Sequence, residues 1–317
     1  MTKLGLVLIC AISCYAQLPA QIDKPSSSEL NPIYRSLEAH DWKAAERDLG
    51  PLLLLYGGSA KPHFLLGYVL FRENRPTDSL AQYTAAAALE TPSVESLLTV
   101  CSDYILLSDY ADAEHWLVYT AERFQNDHRV WYLLGRTQYR LDQAAEAVAS
   151  YRKSLELTPH DLPSQYNLGL ALEKLGKPAE AEAAYRAAIS LQRETGAPDP
   201  QPYLDFGLLL MSQHRYEGAL TQLMTAAALG PKNAMVQQQL GLTLEALGRD
   251  DAAAAALQRA VSLSPAAGQP HLYLGRLYRR LGRKNDAAAQ FAEAQRLYGT
   301  RSVQETPNEP PLADPEH

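Results

Sequence analysis

Apolar, small and proline positions recur along this chain with a period of 34 residues. The clearest copy runs from Trp131 to Pro159. Counted from His128, it has Trp131 at position 4, Leu134 and Gly135 at 7 and 8, Ala147 at 20, Tyr151 at 24 and Pro159 at 32. Stepping through the sequence gives Gly67, Cys101, Gly135 and Gly169 at position 8, then Gly207, Gly241 and Gly275 after one slip. The extra residues of the slip fall in Gly196-Ala197-Pro198-Asp199, a turn-type sequence that need not disturb a helix.

Position 20 is small throughout: Ala45, Ser79, Ala113, Ala147, Ala181, Ala219, Ala253 and Ala287. Four residues on, one turn along the same face of a helix, stand Leu49, Tyr83, Leu117, Tyr151, Tyr185, Leu223, Leu257 and Phe291. Glycines Gly176, Gly248 and Gly282 at position 15 mark a tight turn. Pro76 and Pro178 at position 17 suit the first turn of a second helix, where a missing N–H costs nothing. Pro159, Pro231 and Pro265 stop that helix. The pattern predicts helical hairpins starting near 26, 60, 94, 128, 162, 200, 234 and 268.

Unit length, Trp131, Leu134, Gly135, Ala147, Tyr151 and Pro159 resemble the tetratricopeptide repeat family. Gln138 at position 11 departs from the usual aromatic, with Tyr139 beside it. The resemblance implies an all-α fold, a right-handed superhelical solenoid of about eight helix-turn-helix repeats over residues 26–299, with first helices lining a concave groove. The first repeat is expected to be an atypical cap with a shortened first helix, because Pro32 and Ile33 occupy positions 7 and 8.

Such grooves bind extended peptides or helices, so the resemblance implies a protein-interaction scaffold with a protein or peptide partner. Family geometry turns positions 2, 5, 6, 9, 12 and 13 of the first helices to the groove. In the fourth repeat these include Tyr132, Arg136, Tyr139 and Arg140; in the fifth, Tyr166 and Asn167; in the eighth, Tyr273, Arg276, Arg279 and Arg280. Aromatic and arginine side chains are common binding anchors, and arginine can hold a carboxylate by two parallel bonds. The other reading is that the arginines solvate the groove and the tyrosines pack between repeats. Phe64, Tyr68 and Phe71 make the second repeat more apolar. The family's clamp for a chaperone's terminal carboxylate is not matched: Asn167 fits, but Tyr132, Arg136, Gln201 and Asp205 stand at the other places.

The ends differ from the repeats. Residues 1–16, with Lys3, the apolar run Leu4–Ile12 and a close at Cys14-Tyr15-Ala16, read as a secretory signal cleaved after Ala16. That run is too short for a membrane span, which needs roughly 20 residues. The alternative is a lipoprotein signal with Cys14 lipidated, although Ala11 stands where such boxes usually have Leu; a membrane contact is expected only in that case. With Cys10 and Cys14 inside the signal, Cys101 would be the one remaining cysteine and reads as a small packing residue. Residues 17–30, with Pro19, Pro25 and Ser26-Ser27-Ser28, read as a flexible leader, and the Pro- and acid-rich 300–317 as a disordered tail.

Composition narrows the function. Acids outnumber bases 36 to 29, which argues against a nucleic-acid partner. Residues 26–127 hold 15 acids and 7 bases, whereas 268–301 hold 2 acids and 7 bases. No HExxH, GxSxG or Walker-type motif and no paired zinc cysteines occur, so no catalytic residue, cofactor or metal is expected. Asp112, Glu114 and His115 read as a solvated helix face, and Gly57-Gly58-Ser59-Ala60-Lys61 as a plain loop. The function expected is a non-catalytic scaffold exported to the cell envelope, periplasmic or secreted. The alternatives are an assembly factor for pili or outer-membrane or secretion complexes, lipidated or not, and a substrate-recruiting subunit of an envelope enzyme.

Overall fold

The computed structural model describes residues 24–196 and 198–299. The expected signal with Cys10 and Cys14, leader residues 17–23 and the tail 300–317 lie outside the described residues. Those described form sixteen α-helices and no strand. The chain divides into two compact units, Met1–Lys177 and Pro178–His317.

The first unit holds α1 (Ser27–Glu38), α2 (Trp42–Leu55), α3 (Ala60–Arg72), α4 (Pro76–Ala87), α5 (Val94–Leu106), α6 (Tyr110–Arg123), α7 (His128–Arg140), α8 (Ala144–Leu157) and α9 (Leu162–Lys174). Consecutive pairs α1/α2 to α7/α8 pack as hairpins, and each stacks on the next. The second holds α10 (Pro178–Thr195), α11 (Gln201–Ser212), α12 (Tyr216–Leu229), α13 (Ala234–Ala246), α14 (Asp250–Leu263), α15 (Gly268–Arg280) and α16 (Lys284–Gly299). Here α11/α12, α13/α14 and α15/α16 are the hairpins, and α10 packs on α11.

Each hairpin is held by close approach at positions 8, 20 and 24. Every position-20 residue is buried, and so is every position-24 residue except Phe291, which is half-buried. Opposite them stands glycine, whose missing β-carbon makes room: a Cβ at Gly67, Gly135, Gly207, Gly241 or Gly275 would come within 2.7–2.9 Å of the side chain at position 24. Cys101 takes that place in α5 and is wholly buried; burial pushes its thiol far above the usual range, so it stays protonated.

The turn inside each repeat is a left-handed cap. His40, Asn74, Ser108, Asp142, Gly176, His214, Gly248 and Gly282, all at position 15, have φ between 57° and 74°. The N–H after each reaches back five residues, as in Arg75 to Leu70, Gln143 to Gln138 and Arg249 to Leu244, each at 2.9 Å. This is the Schellman arrangement, which satisfies carbonyls orphaned at the helix end. Three glycines revealed the turn in the sequence; five residues with side chains adopt it as well.

Two expectations for the N-terminal region need correction. Residues 27–30, assigned to the flexible leader, belong to α1, and α1 is shortened by no more than one residue: it has 12, as many as the first helix α11, where the other first helices have 13. Ser26 caps it in a reciprocal box: its hydroxyl accepts from the Glu29 N–H, and Glu29 accepts from the Ser26 N–H at 2.8 Å. Pro32 forfeits one bond, to the carbonyl of Ser28 in the exposed first turn, and Leu30 and Ile33 are buried against Ala45 and Leu49. The Gly57–Lys61 stretch is only partly a loop, since α3 begins at Ala60.

Gln138, the departure at position 11, is buried and paired. Its amide oxygen accepts from the Ser150 hydroxyl at 2.7 Å. A different exception sits in α5, where Asp103 occupies position 10, filled in the second and the fourth to eighth repeats by Val69, Thr137, Ala171, Leu209, Thr243 and Leu277 and in the first by the exposed Arg35. Its carboxylate is wholly buried, and neither oxygen has a hydrogen-bond partner among the described residues. The Ser79 hydroxyl across the interface donates instead to the Gly67 carbonyl at 2.8 Å.

Candidate partner-binding face

Within each unit the first helices of successive repeats touch one another: α3 with α5, α7 with α9, α11 with α13 and α13 with α15. Side chains on those helices that are not needed inside the hairpin therefore share a face.

On α7, Arg136 is exposed and makes no hydrogen bond or ion pair among the described residues. One turn before it, half-buried Tyr132 leans on Tyr151, ring centroids 6.3 Å apart. One turn after it, the half-buried ring of Tyr139 lies 4.7 Å below the ammonium of Lys174 from α9, which also pairs with Asp142. Arg140 behaves differently. Its guanidinium crosses to the preceding hairpin, donating to the Tyr110 hydroxyl at 3.2 and 3.3 Å and lying over that ring. That hydrogen bond, with smaller help from Arg136, holds the Tyr110 phenol below its ordinary range.

On α9, Tyr166 is half-buried, and Asn167 turns its amide to the Pro163 carbonyl at 2.8 Å, within its own helix. On α15, the Tyr273 hydroxyl accepts from Gln269 at 3.1 Å, while Arg276 is exposed with no hydrogen bond or ion pair among the described residues. Arg279 lies over the Phe291 ring at 5.5 Å. Arg280 is an inter-repeat tie, bound to Asp250 at 2.7 Å and Glu245 at 3.2 Å.

Seven of the ten residues singled out from the sequence thus divide into groups, and Tyr166, Asn167 and Arg279 fall in none of them. Tyr132, Arg136 and Tyr139 form one cluster on α7, Tyr273 and Arg276 another on α15, and Arg140 and Arg280 serve the stack. A third such tie was missed: Arg72 lies 4.4 Å from the Trp42 ring and donates to the Tyr68 hydroxyl at 2.8 Å. Trp42 with Arg72, Tyr110 with Arg140 and Asp250 with Arg280 are each separated by 30 residues, a spacing that was there to be read.

Among the described residues no group of three His, Cys, Asp or Glu side chains could hold a metal ion, and no helix is long and apolar enough to cross a membrane.

Comparison with known proteins bears on the same region. Three family models, each described as a tetratricopeptide repeat, match residues 128–161, 162–195, and 204–268 with 251–302, together just over half of the chain. A comparison with curated proteins finds no match. Among solved structures, MamA 41-end from Desulfovibrio magneticus RS-1 is similar at 22% identity and TM-score 0.52, over 55% of this chain and 96% of that one. YrrB, described as a TPR protein with an unusual peptide-binding site, is similar at 18% identity and TM-score 0.50, over 59% and 94%. The Cut9-Hcn1 hetero-tetramer of the APC/C is similar at 15% identity and TM-score 0.55, over 81% of this chain and 50% of that one. These likenesses show the fold.

Proposed function

We propose that this chain, which belongs to the tetratricopeptide repeat family, is a non-catalytic scaffold that takes a peptide or helical segment of a partner protein on the face of its first helices. The observation that carries this reading is Arg136, an exposed guanidinium without a hydrogen bond or ion pair among the described residues, set between the half-buried rings of Tyr132 and Tyr139. An arginine left open between aromatic surfaces suits a segment bearing a carboxylate beside an apolar residue. YrrB, of the same fold, has a peptide-binding site by description, which agrees with such a use. Photo-crosslinking in cells from position 139 and from position 273, followed by identification of the captured protein, tests it. One dominant partner, lost with Arg136→Ala, is the expected result; capture unchanged by that substitution removes the α7 assignment.

The place of action proposed is the cell envelope, after export directed by residues 1–16. An assembly factor held at a membrane is the second reading, favoured by Cys14 after Ala11-Ile12-Ser13. Fractionation of the tagged chain and incorporation of labelled lipid into Cys14, compared with Cys14→Ala, decide between a released and an anchored protein.

A further inference from the structure

The last hairpin of the second unit concentrates positive charge. Residues 268–299 carry six basic side chains, Arg276, Arg279, Arg280, Arg283, Lys284 and Arg296, against two acids, Asp286 and Glu293. Local acids answer half of them: Arg280 has Glu245 and Asp250, Arg283 has Asp286, and Arg296 has Glu293. Arg276, Arg279 and Lys284 have no acidic partner among the described residues. Arg276 and Arg279 are exposed on α15 with Tyr273 half-buried beside them.

The sequence that follows has the opposite character. Residues 302–317 contain Glu305, Glu309, Asp314 and Glu316, no Lys or Arg, and four prolines. It leaves α16 at the end that lies against the start of α15, where a Cβ on Gly268 would meet the Tyr298 ring at 3.0 Å. From Gly268, Arg276 lies about 12 Å along the helix axis at ~1.5 Å per residue. Sixteen residues at the ~3.1 Å per residue of an extended proline-rich chain reach roughly 50 Å, ample to run beside the whole of α15.

We propose that residues 302–317 fold back along α15, setting their carboxylates on Arg276 and Arg279 and their prolines against Tyr273. The occupant is then part of the same chain, and the tether supplies an effective concentration on the order of millimolar, so contacts too weak for a separate peptide suffice. Exposed charge pairs of this kind are screened within about 10 Å at 0.1 M salt, so the segment is released as ionic strength rises. Where the α15 face also receives a partner, as in the function proposed above, the segment competes for it and selects for partners more acidic or more aromatic than itself. The inference does not depend on such a partner.

The test places p-benzoyl-phenylalanine at position 273 of the full chain, in an equal mixture of unlabelled and nitrogen-15-labelled protein. Trypsin cuts after Arg301 and keeps 302–317 in one peptide, because that stretch contains no Lys or Arg. Illumination at low salt is expected to join that peptide to the peptide containing position 273 with matching isotope labels. The yield should fall at least fivefold in 0.5 M salt, and equally with Arg276→Glu and Arg279→Glu at unchanged helix content. Links that omit 302–317, an absence of links, mixed-label pairs in quantity, or a yield indifferent to charge reversal would each overturn the proposal. None of these outcomes bears on capture from position 139, so the two readings fail separately.

Discussion

The ring of Tyr151 stands where a β-carbon on Gly135 would have to go: an added Cβ would lie 2.9 Å from both Cδ1 and Cε1. Neither side can yield easily, since Tyr151 is wholly buried. Gly135→Ala is therefore expected to cost about 1–3 kcal/mol through forced repacking. The third hairpin shows the remedy, with Cys101 and Leu117 both buried at the same two positions. Tyr151→Leu in the Gly135→Ala background should recover part of the loss, measured as the coupling in a urea-denaturation cycle. Simple additivity of the two changes would mean that the contact does not set the spacing of α7 and α8.

Asp103 makes the stability of the first unit depend on pH. Burial pushes its carboxyl up to about 7, from an ordinary value near 3.8. The Tyr83 phenol facing it from α4, its neighbour Tyr68 and the protonated Cys101 thiol bring no positive charge to offset this. Because the folded value lies above the unfolded one, the neutral acid is the stable form in the fold. Its contribution is fully present below about pH 4 and is lost as pH rises towards 7. Asp103→Val should therefore stabilise the protein by roughly 2–4 kcal/mol above pH 7 and by much less near pH 4. Urea midpoints of the two proteins between pH 4 and 8 give the comparison, and a difference that does not widen with pH would exclude a buried, titrating carboxyl.

The left-handed turns predict changes of opposite sign. Gly248 has φ 70° and nothing within 4 Å of an added Cβ, so Gly248→Ala isolates the backbone penalty, about 1–2 kcal/mol. Ser108 has φ 58° and bears that penalty already. Ser108→Gly should raise the thermal midpoint by the equivalent of up to ~1 kcal/mol, reduced by the greater freedom of glycine in the unfolded chain. Equal destabilisation by both substitutions would point to side-chain contacts at 108 outweighing its backbone.

Arg136 and Arg140, one turn apart, should respond differently to truncation. If the proposed function holds, Arg136→Ala is expected to weaken capture of the partner about tenfold or more, as losing a binding anchor does, and to leave the melting temperature unchanged. Arg140→Ala should lower stability by about 0.5–1 kcal/mol through loss of the Tyr110 contact, with a smaller effect on capture. Calorimetry and a pull-down with the crosslinked partner separate the two, and reversed effects would exchange their roles.

Much of the fold was legible because close packing restricts residue size at fixed spacing. Positions 8, 20 and 24 repeat since small facing large lets two helices approach closely, as Gly135 faces Tyr151, although in the first hairpin Ile33 packs with Leu49 instead. What escaped notice were features resting on pairs. Gln138 read as a departure until Ser150 was seen to answer it. Ser26 read as part of a polar linker, although Glu29 three residues later completes a capping box. The turn at position 15 was visible where glycine fills it and not at His40 or Ser108, because the geometry rather than the residue is constant. For the face, helix position placed Arg136 and Arg140 together, but only Tyr110, 30 residues before Arg140, tells them apart.

The 30-residue ties leave a division of labour along each first helix. Position 13 carries Arg72, Arg140 and Arg280, all engaged with the preceding repeat, while position 9 of the same helices carries Tyr68, Arg136 and Arg276. In α7 and α15 the cation that fastens the array and the cation open to the outside are one helical turn apart, and no hydrogen bond or ion pair among the described residues engages the outer one. Substitutions at Arg136 and Arg276 can therefore accumulate without breaking the ties of Arg140 and Arg280, so the chemistry of the open face is free to drift in a lineage while the architecture stays fixed.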